Sequence, residues 1–237
     1  MRRLLPGPEV PVELDEVYDA GDRAPAADGR PWLLANMVCS ADGAATLTGR
    51  SGGLSSPADR DLFHRLRGVA DLVLVGASTV RAEGYGPARG DDPAPIAVVS
   101  GSLALDWASR FFTEARARPY VVTSAAADPA RLAEAERVAD VVIAGEERVE
   151  PRAALEVFAR RGHRVVLCEG GPSLLAEVAA ADCLDELCLT LAPLLAGGTS
   201  PRILAGPLPD APVALQVASV LEEDGMLFLR YLRAREG

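Results

Sequence analysis

Short β-branched and apolar runs alternate with helix-like stretches from Trp32 to about residue 181, and this alternation constrains the fold of the 237-residue chain more than any other feature. The strand-like runs are Trp32 to Val38, Asp71 to Val75, Ile96 to Val99, Tyr120 to Thr123, Val141 to Ala144 and Arg164 to Cys168. Helical patterns fall at Ser56 to Arg67 and near residues 129–138, 151–161 and 173–181. Continuous apolar strands separated by helices predict a largely parallel sheet covered on both faces. The tail breaks the rhythm: Leu184 to Leu191, Val213 to Leu221 and Met226 to Leu232 are strands without intervening helices, with Asp224-Gly225 as a hairpin turn between the last two. The expectation is a three-layer α/β fold whose mixed, mostly parallel sheet ends in an antiparallel hairpin. Residues 1–30, rich in Pro, Asp and Gly, read as an arm or flanking strand lying on a single domain of residues 31–237.

Composition removes several kinds of function. All 24 basic residues are Arg, which excludes Schiff-base chemistry and the P-loop lysine but leaves bidentate recognition of phosphate. A net charge of −10 without a basic stripe argues against nucleic acid and anionic membranes as partners. Cys39, Cys168, Cys183 and Cys188 form no C-x-x-C pair, and the two histidines, His64 and His163, stand far apart, so a metal centre is not expected. The opening Met-Arg-Arg-Leu-Leu-Pro lacks a signal-peptide core, and no apolar run reaches membrane-spanning length; a cytoplasmic location is expected.

Three stretches carry chemistry. In V-V-L-C-E-G-G-P-S-L-L, residues 165–175, Gly170 and Gly171 fall in a strand-to-helix turn and Pro172 suits the first helical turn. Such a turn is either a tight loop or an anion site, where glycines admit a phosphate to the free amides at the start of the following helix. Glu169 sits at the strand's carboxyl end, where open α/β sheets bind ligands, or is a solvated acid. In the second stretch a buried strand runs through Gly76 and Ala77 into Ser78, Thr79 and Glu83, with Thr79 able to donate to a phosphate oxygen. The third, Asn36 to Gly43, ends a strand with an Asp42-Gly43 turn, which alone is more often a turn than a site. Neither G-x-G-x-x-G nor G-x-x-x-x-G-K-[ST] occurs, so a standard Rossmann dehydrogenase and a P-loop enzyme are disfavoured.

Taken together, N-x-x-x-S-x-D-G, A-D-x-x-L-V-G-A-x-T-V-R-A-E, E-G-G-P-S-L-L-A and D-E-L-C-L-T-L-A-P resemble the reductase domain of bacterial riboflavin biosynthesis, the pyrimidine reductase family with a dihydrofolate-reductase-like fold. The likeness runs from about Trp32 to Tyr231 and is strongest to stand-alone actinobacterial members, which matches the missing zinc-deaminase signature. It implies an NADPH-dependent oxidoreductase that passes hydride to the ribosyl C1′ of a 5-amino-6-(5-phosphoribosylamino)pyrimidine, and a homodimer. The resemblance assigns a phosphorylated substrate to Asn36, Ser51, Arg67 and Glu169. It assigns NADPH to Gly53, Gly76, Ala77, Thr79, Glu83, Ser100 and the loop Gly170, Gly171, Pro172, Ser173, Leu174, Leu175. For Arg67 a surface salt bridge is the alternative. Asp42 and Glu169 are the candidates for polarising or protonating the acceptor, with bound water as the alternative.

Two departures stand on the substrate side: Ser40-Ala41-Asp42-Gly43 in place of Ser-Leu-Asp-Gly, and Glu83-Gly84-Tyr85-Gly86-Pro87 in place of Asp-Asp/Asn-Pro-x-Leu. They leave open a dihydropterin reductase in which Glu169 or Asp42 clamps the ring, and a nucleotide-binding protein without catalysis.

Overall fold

The computed structural model describes residues 1–18, 23–88, 90–207 and 211–234; parts of the expected arm (19–22) and of the expected domain (89, 208–210 and 235–237) lie outside the described residues. The chain enters through β1 (Arg2–Leu5), β2 (Val10–Pro11) and the single turn α1 (Leu14–Val17). It continues through β3 (Trp32–Ser40), α2 (Pro57–Val69), β4 (Leu72–Gly76), α3 (Ala77–Glu83), β5 (Ile96–Val99), α4 (Arg110–Thr113), β6 (Tyr120–Thr123) and α5 (Pro129–Val138). Then follow β7 (Asp140–Ile143), α6 (Pro151–Arg160), β8 (Val165–Cys168), α7 (Pro172–Ala180), β9 (Glu186–Ala192), β10 (Leu215–Glu223) and β11 (Met226–Arg233).

One sheet holds all eleven strands in the order β2-β1-β10-β11-β9-β3-β8-β4-β5-β6-β7. From β9 to β7 every pairing is parallel, while β11, β10, β1 and β2 add on antiparallel. The central parallel strands β4, β5 and β8 are apolar throughout because both of their faces are covered. Val73, Val75 and Leu167 point into a core shared with Leu62 and Leu66 of α2 and Val80 of α3. Leu72, Leu74, Val166 and Cys168 point the other way, onto Leu155 and Phe158 of α6 and Leu174, Leu175 and Val178 of α7. Period-two alternation between two apolar cores is what erases polar positions from these runs.

The local signals act as their chemistry dictates. Ser56 caps α2 by accepting the Asp59 amide at 3.1 Å, with Pro57 at the first helical position. Asp224 and Gly225 both take positive φ, 53° and 80°, as a two-residue hairpin requires. The short α4, tucked under the sheet by Phe111 and Phe112, carries no such signal and was not expected.

The topology also fixes where a ligand can sit. After β3 the chain steps outward through β4, β5, β6 and β7, then returns to insert β8 between β3 and β4 before β9 lands on the other side of β3. The reversal opens a crevice at the carboxyl ends of β3, β8 and β4, the usual ligand position in open α/β sheets. At the opposite, amino end, buried Glu186 receives Arg23, Arg230 and the Trp32 indole, and buried Asp185 receives Arg30. These pairs fasten the segment before β3 to β9, far from the crevice.

Candidate active site

The crevice has two compartments. The larger, about 910 Å³, runs past the ends of β4, β5 and β6 and is lined by Gly76, Ala77, Ser78, Arg81, Ser100, Ser102, Arg148, Ser173, Leu174 and Glu177 among others. The smaller, about 430 Å³, lies over the end of β3 and the first turns of α2, with Asn36, Met37, Ser51, Asp59, Arg60, Phe63, Thr79, Glu83, Tyr85, Glu169, Gly171 and Pro172 in its walls. Ser78 belongs to both, so the compartments meet at α3 and the glycine turn.

The turn after β8 is built by close backbone approach. Glu169 extends the β8 ladder through its amide to Leu74 O at 2.9 Å, and Gly170 O accepts the Gly76 amide at 2.7 Å. The Gly170–Gly171 peptide is cis, and Gly170 has a φ of +78°. A Cβ on Gly171 would lie 2.5 Å from Thr79 Oγ1, and one on Gly170 2.9 Å from Met37 Sδ. Only glycine lets this turn nestle between α3 and β3. Helix α7 then starts at Pro172 with no side-chain cap, so the Ser173 and Leu174 amides stand free at its N-terminus beside the larger compartment.

Glu169 is the hub of the smaller compartment. Its side chain, 2% exposed, meets the Arg67 guanidinium as a fork, Nε to Oε1 at 2.6 Å and Nη2 to Oε2 at 2.8 Å. The Tyr85 hydroxyl donates to Oε2 at 2.7 Å. Arg67 lies over the Phe63 ring, 4.4 Å from its centroid. Burial opposes the charge of Arg67, but Glu169 outweighs it and raises the guanidinium pKa further. Burial and then the adjacent carboxylate push the Tyr85 phenol well up, so it remains a donor. Three donors thus converge on the Glu169 carboxylate. Arg67 Nε and Nη2 are engaged by Glu169, so the salt bridge expected as the alternative is internal to the site rather than at the surface.

Asp42 belongs elsewhere. Its carboxylate accepts from Ser40 Oγ, from the Ala196 amide at 3.0 Å and from the Gly197 amide at 2.7 Å. The Ser40 hydroxyl and then the two amides hold its pKa down to about 2. It does not line the compartment of Glu169. The residue reads as a pin between the turn after β3 and the loop after β9, with no proton to offer near neutrality.

The remaining expected residues divide between the compartments. Gly76, Ala77, Ser100, Ser173 and Leu174 line the larger; Asn36, Ser51, Thr79, Glu83, Gly171 and Pro172 line the smaller. Glu83 accepts the Ser51 amide at 2.8 Å and so holds the 47–53 loop in place. Gly53 packs on Leu47, and Gly170 and Leu175 lie behind the surface, so these three shape the walls without lining them.

A family model described as the RibD C-terminal domain matches residues 31–226. The chain belongs to the RibD C-terminal domain family. A relative from Archaeoglobus fulgidus, named 2,5-diamino-6-ribosylamino-4(3H)-pyrimidinone 5′-phosphate reductase, is 30% identical over 191 residues, covering 75% of this chain and 87% of the relative. Among solved structures, a pyrimidine reductase-like protein from Corynebacterium diphtheriae superposes with a TM-score of 0.79 at 27% identity, over 87% of this chain and 93% of that one. A dihydrofolate reductase from Enterococcus faecalis shares the fold, with a TM-score of 0.54 at 16% identity over 86% of this chain and 97% of that one.

Within the RibD frame, sequence reasoning passed over Tyr85, Phe63, Asp59 and Arg60. The signal for three of them was present: Asp59, Arg60 and Phe63 follow the capped start of α2 and stand on its turns in the smaller compartment. Tyr85 lay inside the noted departure after Arg81, but its partner is 84 residues further on. Arg148 of the larger compartment sits in a loop without pattern.

Proposed function

We propose that this protein is an NADPH-dependent reductase of a 5-amino-6-(5-phosphoribosylamino)pyrimidine, acting at the ribosyl C1′. The observation that supports it most is the junction of the two compartments at Ser78 and the glycine turn, which sets a dinucleotide-sized cleft against a polar, ring-sized one. The residues present fit a nicotinamide nucleotide: the glycine turn, packed so closely on Thr79 that a Cβ at Gly171 has no room, and the free amides of Ser173 and Leu174 with the α7 dipole behind them, suit its pyrophosphate. When bound, the reduced nicotinamide supplies the hydride. Gly76, Ala77, Ser78 and Ser100 would flank it, and Arg148, without an ion-pair partner among the described residues, supports the choice of a 2′-phosphorylated cofactor.

On the substrate side, Asn36 brings a buried Oδ1 with no hydrogen-bond partner among the described residues, suited to a ring N–H. Glu169, held by Arg67 and Tyr85, offers its remaining acceptor capacity to ribosyl hydroxyls. Arg60 is the arginine in this compartment's wall and has no ion-pair partner among the described residues, which favours it over Arg67 for the phosphate. The chain's contribution to rate is alignment of donor and acceptor in the crevice.

The reading extends to a cytoplasmic homodimer. Four free, buried cysteines suit a reducing compartment, and the exposed Leu4, Leu5 and Val217 of the antiparallel edge suit a second copy. The test is turnover by the purified protein: oxidation of NADPH with the phosphoribosylaminopyrimidine supports the reading. Turnover of a dihydropterin alone, or tight NADPH binding with no oxidation on either compound, contradicts it.

A further inference from the structure

The acids of the smaller compartment differ in what they have left to offer. Glu169 already receives three donors, and Glu83 accepts the Ser51 amide. Asp59 is different. It stands in the first turn of α2, a rigid, capped position, and is 8% exposed. Its Oδ2 accepts the Ser55 hydroxyl at 2.6 Å, which fixes the rotamer, while no donor among the described residues reaches Oδ1. Asn36, on the strand that floors the same compartment, presents the buried, unpartnered Oδ1 described above. The compartment therefore combines one oriented carboxylate and one amide, both in want of donors, with the apolar Met37, Val38, Phe63 and Pro172 to pack a ring.

We infer that Asp59 determines which pyrimidine is reduced, by reading the group at ring position 2 and selecting the 2-amino compound over its 2-oxo, uracil counterpart. This rests on the function proposed above and deepens it. A 2-amino-4(3H)-pyrimidinone presents two N–H donors side by side, from the 2-amino group and N3, and a carboxylate accepts both. The uracil carries a carbonyl at position 2. Set against Asp59, it would keep the N3–H pair but oppose the second carboxylate oxygen with a carbonyl, acceptor against acceptor, where the 2-amino compound offers a donor. The amide of Asn36 accepts or donates and so does not discriminate between the two rings. Asp59 acts here as a specificity residue that touches the ring; it takes no proton from the reacting carbon.

The experiment compares kcat/KM for the two phosphoribosylaminopyrimidines, 2-amino and 2-oxo, with the wild type and with Asp59→Asn, which keeps the shape and the acceptor for Ser55. The expected wild-type preference for the 2-amino compound is about a hundredfold, near the upper end of what one buried acceptor left unsatisfied costs. Asp59→Asn should narrow that preference to within about tenfold, chiefly by lowering turnover of the 2-amino compound. Equal use of both compounds by the wild type, or a preference for the uracil, overturns the inference while leaving the reductase reading intact. An unchanged ratio in a folded Asp59→Asn also overturns it. Should that variant fail to fold, the wild-type ratio still decides. Failure of the wild type on both pyrimidines, with NADPH bound, overturns the reductase reading and this inference together.

Discussion

Replacing Gly171 by Ala tests the cofactor cradle with a single methyl group. Gly171 has a φ of −70°, which any residue adopts, so the backbone itself carries no strain in the variant. The whole effect comes from the new Cβ, 2.5 Å from Thr79 Oγ1 where ordinary contact begins near 3.4 Å. The turn or α3 must therefore retreat by nearly an ångström, on the scale of overpacking that costs about 1–3 kcal/mol, or roughly 5- to 150-fold in an equilibrium. Because Gly171 and Thr79 stand where the smaller compartment meets the larger, beside Ser78 and the free amides of Ser173 and Leu174, the loss should appear in NADPH affinity measured by calorimetry, and less in thermal stability. Thr79→Ala removes the offending oxygen, leaving a neighbouring Cβ at an unstrained 3.9 Å. The double variant should thus bind NADPH more tightly than Gly171→Ala alone, a favourable coupling of about 1 kcal/mol or more. Wild-type affinity in Gly171→Ala, or no recovery in the double variant, would refute the steric reasoning and with it the placement of the pyrophosphate.

Other predictions concern the charged groups. Arg67→Ala strands the buried Glu169 carboxylate with only the Tyr85 hydroxyl, and should lower unfolding free energy in denaturant titrations by about 3 kcal/mol, the lower end for a broken buried pair because Arg67 is itself a quarter exposed. Arg60→Ala should raise KM for the phosphorylated substrate by about tenfold or more while leaving KM for the dephosphorylated analogue nearly unchanged; equal effects on both would remove the phosphate assignment. Asp42 has a folded-state pKa depressed from 3.8 to about 2, so its contribution to stability is fully present above about pH 4 and is lost as pH falls through about 2. Its carboxyl resonance should titrate near pH 2, and Asp42→Asn should speed hydrogen exchange at the Ala196 and Gly197 amides.

The parts of this protein that were legible in its sequence are those set by neighbouring residues. Alternating strand runs, the Ser56 cap, the Asp224-Gly225 turn and the glycine pair after Glu169 each act over a few positions, and each folds as its chemistry dictates. What stayed hidden depends on partners far away in the chain. Arg67 looked free because Glu169, which captures it, lies 102 residues later. Asp42 looked catalytic because the amides that pin it, 154 and 155 residues on, sit in a loop with no pattern of its own. The two-residue β2 and the four-residue β1 have almost no periodicity to show; they become strands because β10 offers a free edge. Asp59 was read as a helix-start acid, which it is, and nothing in the local sequence says that the same carboxylate faces a cavity.

The central claim is that two joined compartments bring a reduced nicotinamide nucleotide against a phosphoribosylaminopyrimidine. The most direct measurement mixes purified protein, NADPH and 2,5-diamino-6-ribosylamino-4(3H)-pyrimidinone 5′-phosphate, follows the nicotinamide absorbance and identifies the product. The account predicts stoichiometric loss of NADPH with formation of the ribitylamino compound. An undiminished nicotinamide signal, with the pyrimidine recovered intact, would contradict it.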